Sequence, residues 1–181
     1  MTSFTSTPAL PKAKPAGFDL SRPMQVLVFT AASILTVMAV YAIVRAATGM
    51  APSHPHIREL AIATHIATVL PAIPLGGYLL LSRKGTRLHK QLGKIWVALM
   101  VVTATSAIFI KVDGSFSWIH IFVPLTFIGA YRTISYARQG RIADHRKEII
   151  GLYLGALMIP GTVAFLLPGR LMNVWTFGWP M

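Results

Sequence analysis

Four histidines, His65, His89, His120 and His145, stand at the ends of long apolar stretches, and they do so in two layers. His65 and His120 each fall a few residues into an apolar run, whereas His89 and His145 each introduce the next run from the opposite side. Neutral imidazole is a standard iron ligand, and helical bundles hold cofactors between facing side chains. Imidazoles facing in pairs near each surface of a membrane would grip one haem b each, giving two bis-histidine sites. The expected outer site is His65 with His120, and the expected inner site is His89 with His145. From His65 to the far end of its run is about 16 residues, or ~24 Å of helix, so the two sites stack across the membrane rather than merge.

The inner layer carries further features that suit a ring cofactor. His89, Gly93 and Trp96 fall at i, i+4 and i+7 and share one helical face. A ligand nitrogen followed one turn later by glycine gives clearance for a haem edge. Arg87 and Arg146, with Lys90 and Lys94, supply positive charge for propionates. His145 opens its run within Asp144-His145-Arg146-Lys147, and Ile149 and Leu152 continue its face as an apolar lining. Each histidine also has a plainer reading. In basic interfacial segments His89 and His145 would meet lipid phosphates, and deeper in the membrane His65 and His120 would bond each other or a freed carbonyl. Pro124 removes the donor that would pair with the carbonyl of His120, predicting a kink that aims this ring inward. Pro71, Pro74 and Pro160 free carbonyls in the same way, and inside a bilayer those groups must be satisfied within the protein.

The elements that would position these groups follow from composition. Of 181 residues 54% are hydrophobic and only 12% charged, too apolar for an ordinary soluble domain. Spanning ~30 Å of hydrocarbon takes about 20 helical residues. Five apolar blocks predict an all-α integral membrane bundle of five helices, over residues 24–47, 60–81, 88–110, 115–137 and 147–167. The third and fifth reach full length by starting in the preceding loops, near Thr86 and Asp144. Residues 1–23, with Pro8, Pro11, Pro15 and Pro23 among polar residues, read as a disordered cytoplasmic tail whose end is pinned by Phe18 and Leu20. Residues 24–181 form the transmembrane domain, and the first block reads as a retained helix, not a signal peptide.

The net charge of +12 would suggest nucleic acid in a soluble protein. Here thirteen of the seventeen basic residues fall on one side: Lys12, Lys14 and Arg22 before the first helix, the Arg83–Lys94 group, and the group from Arg132 to Lys147. Arg45, Arg58, Lys111 and Arg170 fall on the other. That bias predicts a cytoplasmic amino terminus and a periplasmic carboxyl terminus in a bacterial inner membrane, with anionic lipid drawn to the cytoplasmic loops. No aromatic-interleaved basic face stands free of the membrane, so nucleic acid is excluded as a partner.

Other chemistries lack their residues. With no cysteine there are no disulfides, iron–sulfur clusters or thiolate zinc sites. Of five carboxylates none lies mid-membrane, so proton relays lack their usual intramembrane acids. Nucleophile–histidine arrangements and phosphate-binding glycine loops are absent. The segment His54-Pro55-His56 reads as a polar loop with weak metal affinity. Gly151 and Gly155, followed by Ala156, form a GxxxG in the fifth helix, and Gly76 with Gly77 a similar pair in the second. Such residues predict close helix approach or room for a flat cofactor.

Several segments carry a family resemblance over residues 60–178: Lys84-Gly85-Thr86-x-Leu88-His89-x-x-Leu92-Gly93, Trp118-Ile119-His120, Ala137-Arg138-x-Gly140 with His145-Arg146, and Leu167-Pro168-Gly169-Arg170. In these the chain resembles a bacterial family of predicted membrane proteins, domain of unknown function 2306. It departs at Lys90 and Lys94, where arginine is usual, and at Ile149, where methionine is frequent. The resemblance implies a multi-pass inner-membrane protein and brings no established activity. By architectural analogy the chain also looks like the two-haem transmembrane cytochromes b, with ligand-type histidines on four successive helices. The leading expectation is thus haem b electron transfer, with quinone as redox partner. The alternative is a cofactor-free accessory or assembly subunit of a larger inner-membrane complex, and a metal or small-solute transporter comes third.

Overall fold

The computed structural model describes residues 20–53, 59–111 and 115–178, and among them the regular elements are helices, with no strand. They are α1 (Arg22–Ala47), α2 (Leu60–Leu81), α3 (Arg87–Ile108), α4 (Phe122–Arg138), α5 (Ile142–Leu166) and a short α6 (Leu171–Phe177). A 3₁₀ turn, Trp118–Ile121, leads into α4. Within α5 an α-helical stretch, Ile142–Gly151, gives way to a π-helical stretch, Leu152–Met158, before α geometry resumes at Ile159–Leu166. The expected His54-Pro55-His56 loop, Phe18 and most of the amino-terminal tail lie outside the described residues.

Four helices, α1, α2, α3 and α5, are long and apolar enough to cross a membrane by length and composition. Large apolar side chains such as Val26, Phe29 and Val37 stay exposed on the outside, as lipid-facing positions do. α2 has the expected bounds, and α3 and α5 begin in their preceding loops. Thr86 caps α3, its hydroxyl accepting the His89 backbone N–H at 3.0 Å. Asp144 lies in the first turn of α5, where a carboxylate favours the helix dipole, and holds Arg141 at 2.8 Å. Gly85 and Gly140 adopt φ of 78° and 72°, which lets the α2–α3 and α4–α5 connections turn tightly. α1 starts at Arg22, slightly before the expected residue, with Pro23 in its first turn and Leu20 buried just ahead of it.

The fourth block behaves differently from its predicted span of 115–137. α-Helical geometry begins only at Phe122, leaving 17 residues in α4. The reason is Pro124. Lacking an N–H, it cannot bond the carbonyl of His120, so the α-ladder cannot extend upstream through this histidine. The proline therefore sits in the first turn and sets where α4 starts. The expected mid-helix kink aiming His120 inward does not form.

The largest fully buried side chains lie where α3 and α5 reach α2. Trp96 of α3 and Tyr153 of the π-helical stretch are fully buried, with ring centroids 6.4 Å apart. The Trp96 indole donates to the Ala72 carbonyl at 2.9 Å, and the Tyr153 hydroxyl to the Ile73 carbonyl at 3.1 Å. Both rings press on Gly76, where a Cβ would lie 2.5 Å from Tyr153 Cδ2 and 2.6 Å from Trp96 Nε1. At Gly77 a Cβ would meet Ala32 of α1 at 2.9 Å. Two adjacent glycines thus admit an indole, a phenol and a neighbouring helix to the backbone of α2. The GxxxG of α5 does not work this way. Cβ atoms at Gly151 and Gly155 would find nothing within 4 Å, and close approach of α4 to α5 comes instead from Gly129, against Leu152.

Candidate functional site at the basic end of the bundle

The α2–α3 connection leads into His89 and the α4–α5 connection into His145, and the two histidines interact electrostatically. His145 and Lys84 are both close enough to His89 to act on its charge. The Thr86 cap fixes the first turn of α3, and with it the position from which the His89 side chain leaves the helix. Its Nδ1 is buried with no hydrogen-bond partner. Lys84 is drawn back over the end of α2, donating to the Leu80 and Ser82 carbonyls at 2.5 and 2.8 Å.

His145 is held by α4. Its Nδ1 lies 2.8 Å from the carbonyl of Thr133. A carbonyl only accepts, so in neutral His145 Nδ1 carries the proton and Nε2 keeps its lone pair. A ring oriented through Nδ1–H on a backbone carbonyl is the arrangement that presents Nε2 to a metal. The hydroxyl of Thr133 is itself buried without a partner. Two of the few orphaned buried polar atoms among the described residues, His89 Nδ1 and Thr133 Oγ1, therefore belong to this end. A buried donor or acceptor left unpaired costs about 1–3 kcal/mol, which a ligand or water would recover.

The residues flanking the pair are arranged as follows. A Cβ at Gly93 would meet nothing within 4 Å, so the wall one turn along from His89 is open. Arg87 and Arg146 are exposed and have no carboxylate partner among the described residues. Trp96, third on the His89 face, is committed to Ala72 and Gly76 and lines the core.

The outer-layer histidines are engaged separately. His65 Nδ1 lies 3.1 Å from the Thr103 carbonyl and 3.2 Å from the Ser106 hydroxyl, both on α3. Ser106 in turn donates to the Thr103 carbonyl at 2.8 Å, and Thr103 donates to Thr68 at 2.8 Å, completing a polar seam between α2 and α3. In neutral His65 the proton again sits on Nδ1, leaving the Nε2 lone pair. His120 lies in the 3₁₀ turn. Its Nε2–H donates to the Ile110 carbonyl at 2.9 Å and its Nδ1 accepts the Ser117 backbone N–H at 3.1 Å. Both nitrogens are used in tying down the α3–α4 connection, and Phe116 packs edge-on against the ring at 4.9 Å. Among the described residues no three His, Cys, Asp or Glu side chains gather as a metal cluster; a bis-histidine site needs only two.

Sequence reasoning missed Thr133 and Tyr153. A threonine twelve residues before a histidine across a helical turn gives no local signal. A lone tyrosine inside an apolar helix does give one, because a buried phenol seeks an acceptor.

No curated protein and no solved structure matches the chain. A family model does, over residues 62–174, a stretch that contains all four histidines and the glycine pair and leaves α1 outside. The chain is a multi-pass membrane protein and belongs to the family described as predicted membrane protein (DUF2306).

Proposed function

We propose that this chain is a haem b electron-transfer protein of the bacterial inner membrane, with its primary site between His89 and His145. The observation that carries this reading is the buried, unpartnered Nδ1 of His89 beside a histidine anchored through Nδ1 on Thr133. The residues present fit the group there. His89 and His145 would hold the iron, the open space at Gly93 would admit the ring, and Arg87 and Arg146 would supply positive charge for the propionates. Haem would supply one-electron chemistry, and a membrane quinone is the proposed partner. The chain's own part would be to orient the His145 imidazole through the Thr133 carbonyl and to keep the His89 Nδ1 covered from solvent.

A second site on His65 and His120 belongs to the same proposal, and its two ligands stand differently. His65 offers its Nε2 lone pair, whereas His120 would first have to release Ile110 and Ser117. We take α4 and its 3₁₀ lead-in as a fifth span. Its 17 and four residues reach about 34 Å, enough for ~30 Å of hydrocarbon. With an odd number of spans and the Lys/Arg bias, the amino terminus is cytoplasmic and the carboxyl terminus periplasmic. Because the chain has no native cysteine, single cysteines at Lys111 and Gln139, which flank α4, test this directly: Lys111 should label from the periplasmic side and Gln139 from the cytoplasmic side.

The deciding experiment is an absorption spectrum of protein purified in detergent from haem-replete cells. A Soret band diminished in His89→Ala and in His145→Ala, and lost when His65→Ala is added to either, is expected. A colourless preparation overturns the proposal. The second reading is a cofactor-free accessory subunit of a larger complex, favoured by the open face at Gly151 and Gly155. A fixed co-purifying partner, with function intact after His89→Ala plus His145→Ala as well as after His65→Ala plus His120→Ala, would establish it.

A further inference from the structure

The outward face of α4 carries a groove unrelated to the histidines. Leu125, Ile128, Tyr131 and Ile134 recur at helical spacing and are 51%, 49%, 74% and 42% exposed, forming an apolar stripe along the helix. At its basic end the stripe runs into a groove of about 340 Å³ bordered by Tyr131, Ile134, Ser135, Arg138 and Gln139. That volume is at the lower end of ligand-sized pockets, enough for a headgroup and the top of a chain.

Charge distinguishes this groove from ordinary lipid-facing surface. The neighbouring arginines are engaged: Arg132 lies 3.5 Å from Glu148, and Arg141 lies 2.8 Å from Asp144 and stacks over Tyr136. Arg138 has neither a carboxylate nor an aromatic partner among the described residues. Beside it Gln139 is held in place by a 2.8 Å hydrogen bond to Ser135. An unpaired guanidinium at the mouth of an apolar track combines a fork that binds phosphate oxygens with a surface for hydrocarbon.

We propose that this groove binds an anionic phospholipid, its phosphate on Arg138 and an acyl chain along Ile134, Ile128 and Leu125. A free phosphate would leave the apolar track unused, and a zwitterionic lipid would bring its own cation to Arg138. The site is independent of the haem reading and rests on the proposal that α4 is a membrane span.

The test is native mass spectrometry of the full chain in detergent, titrated with short-chain phosphatidylglycerol, short-chain phosphatidylcholine or inorganic phosphate. Phosphatidylglycerol should bind in preference to phosphatidylcholine. Arg138→Gln should lower its occupancy about fivefold, the worth of one interfacial cation toward an anionic headgroup. Arg83→Gln, an exposed cation outside the groove, should lower occupancy less than Arg138→Gln, and Ile134→Ser should weaken binding through the chain. Arg138→Lys, which keeps the charge and hence the fold, should fall between wild type and Arg138→Gln. Equal binding of the two lipids, equal losses in Arg83→Gln and Arg138→Gln, or full displacement by equimolar phosphate would each overturn the assignment.

Discussion

Replacing Gly76 with alanine tests the packing on which the bundle depends. The added Cβ would stand 2.5 Å from Tyr153 Cδ2 and 2.6 Å from both Tyr153 Cε2 and Trp96 Nε1. Carbon contacts are optimal at roughly 3.5–4.0 Å, so one or both rings must retreat by about 1 Å. Neither has room, since both are fully buried and each holds an α2 carbonyl, at 2.9 Å for Trp96 and 3.1 Å for Tyr153. Overpacking of this kind costs about 1–3 kcal/mol, and a hydrogen bond lost in the retreat adds about 0.5–1.5 kcal/mol. The expected loss is therefore ~2–4 kcal/mol. Gly93→Ala is the control: its Cβ meets nothing within 4 Å. It should be neutral or gain up to ~1 kcal/mol from helix propensity. Unfolding in mixed micelles, followed by tryptophan fluorescence, measures both. A Tyr153→Ala change should cost less in the Gly76→Ala background than in wild type, because the methyl fills vacated space. Equal stabilities of Gly76→Ala and Gly93→Ala, or strict additivity in the cycle, would refute the reasoning.

Three further outcomes follow from the hydrogen-bond pattern. Thr133→Val removes a buried hydroxyl that has no partner while keeping the carbonyl that holds His145; it should be neutral or stabilising by about 1 kcal/mol in thermal unfolding, since an unpaired polar group is a cost. A double-mutant cycle of Thr68→Val with Thr103→Val, joined at 2.8 Å, should give a coupling of about 0.6 kcal/mol, the average for interhelical bonds in a membrane bundle. Arg45→Gln removes donors to the Thr176 and Met50 carbonyls, at 2.5 and 2.9 Å. It should loosen α6 by roughly 1.5–3 kcal/mol, seen as quenching of the buried Trp175 by aqueous acrylamide.

Much of the framework was readable in residue order, because a bilayer imposes length and apolarity on whatever crosses it. The bounds of α2 and the Thr86 start of α3 needed no tertiary information. The carboxyl-terminal segment was less legible. Residues 168–178 follow the last predicted span, yet α6 folds back so that Met172, Asn173, Val174, Trp175 and Thr176 are buried. Seven helical residues give too short a pattern to announce an inward face. The GxxxG of α5 had the opposite fate, since small size permits a close contact without supplying the neighbour that makes one.

The four histidines mark the division most clearly. Their presence at opposite ends of apolar runs is a property of the sequence, fixed by the rise of a helix and the thickness of hydrocarbon. Which ring nitrogen keeps a lone pair is not. That depends on carbonyls brought from elsewhere in the chain: Thr103 to His65, Thr133 to His145, and Ile110 to His120. A side chain's chemistry is set by the atoms within 3 Å of it, and those atoms are chosen by packing between helices, after each helix has formed.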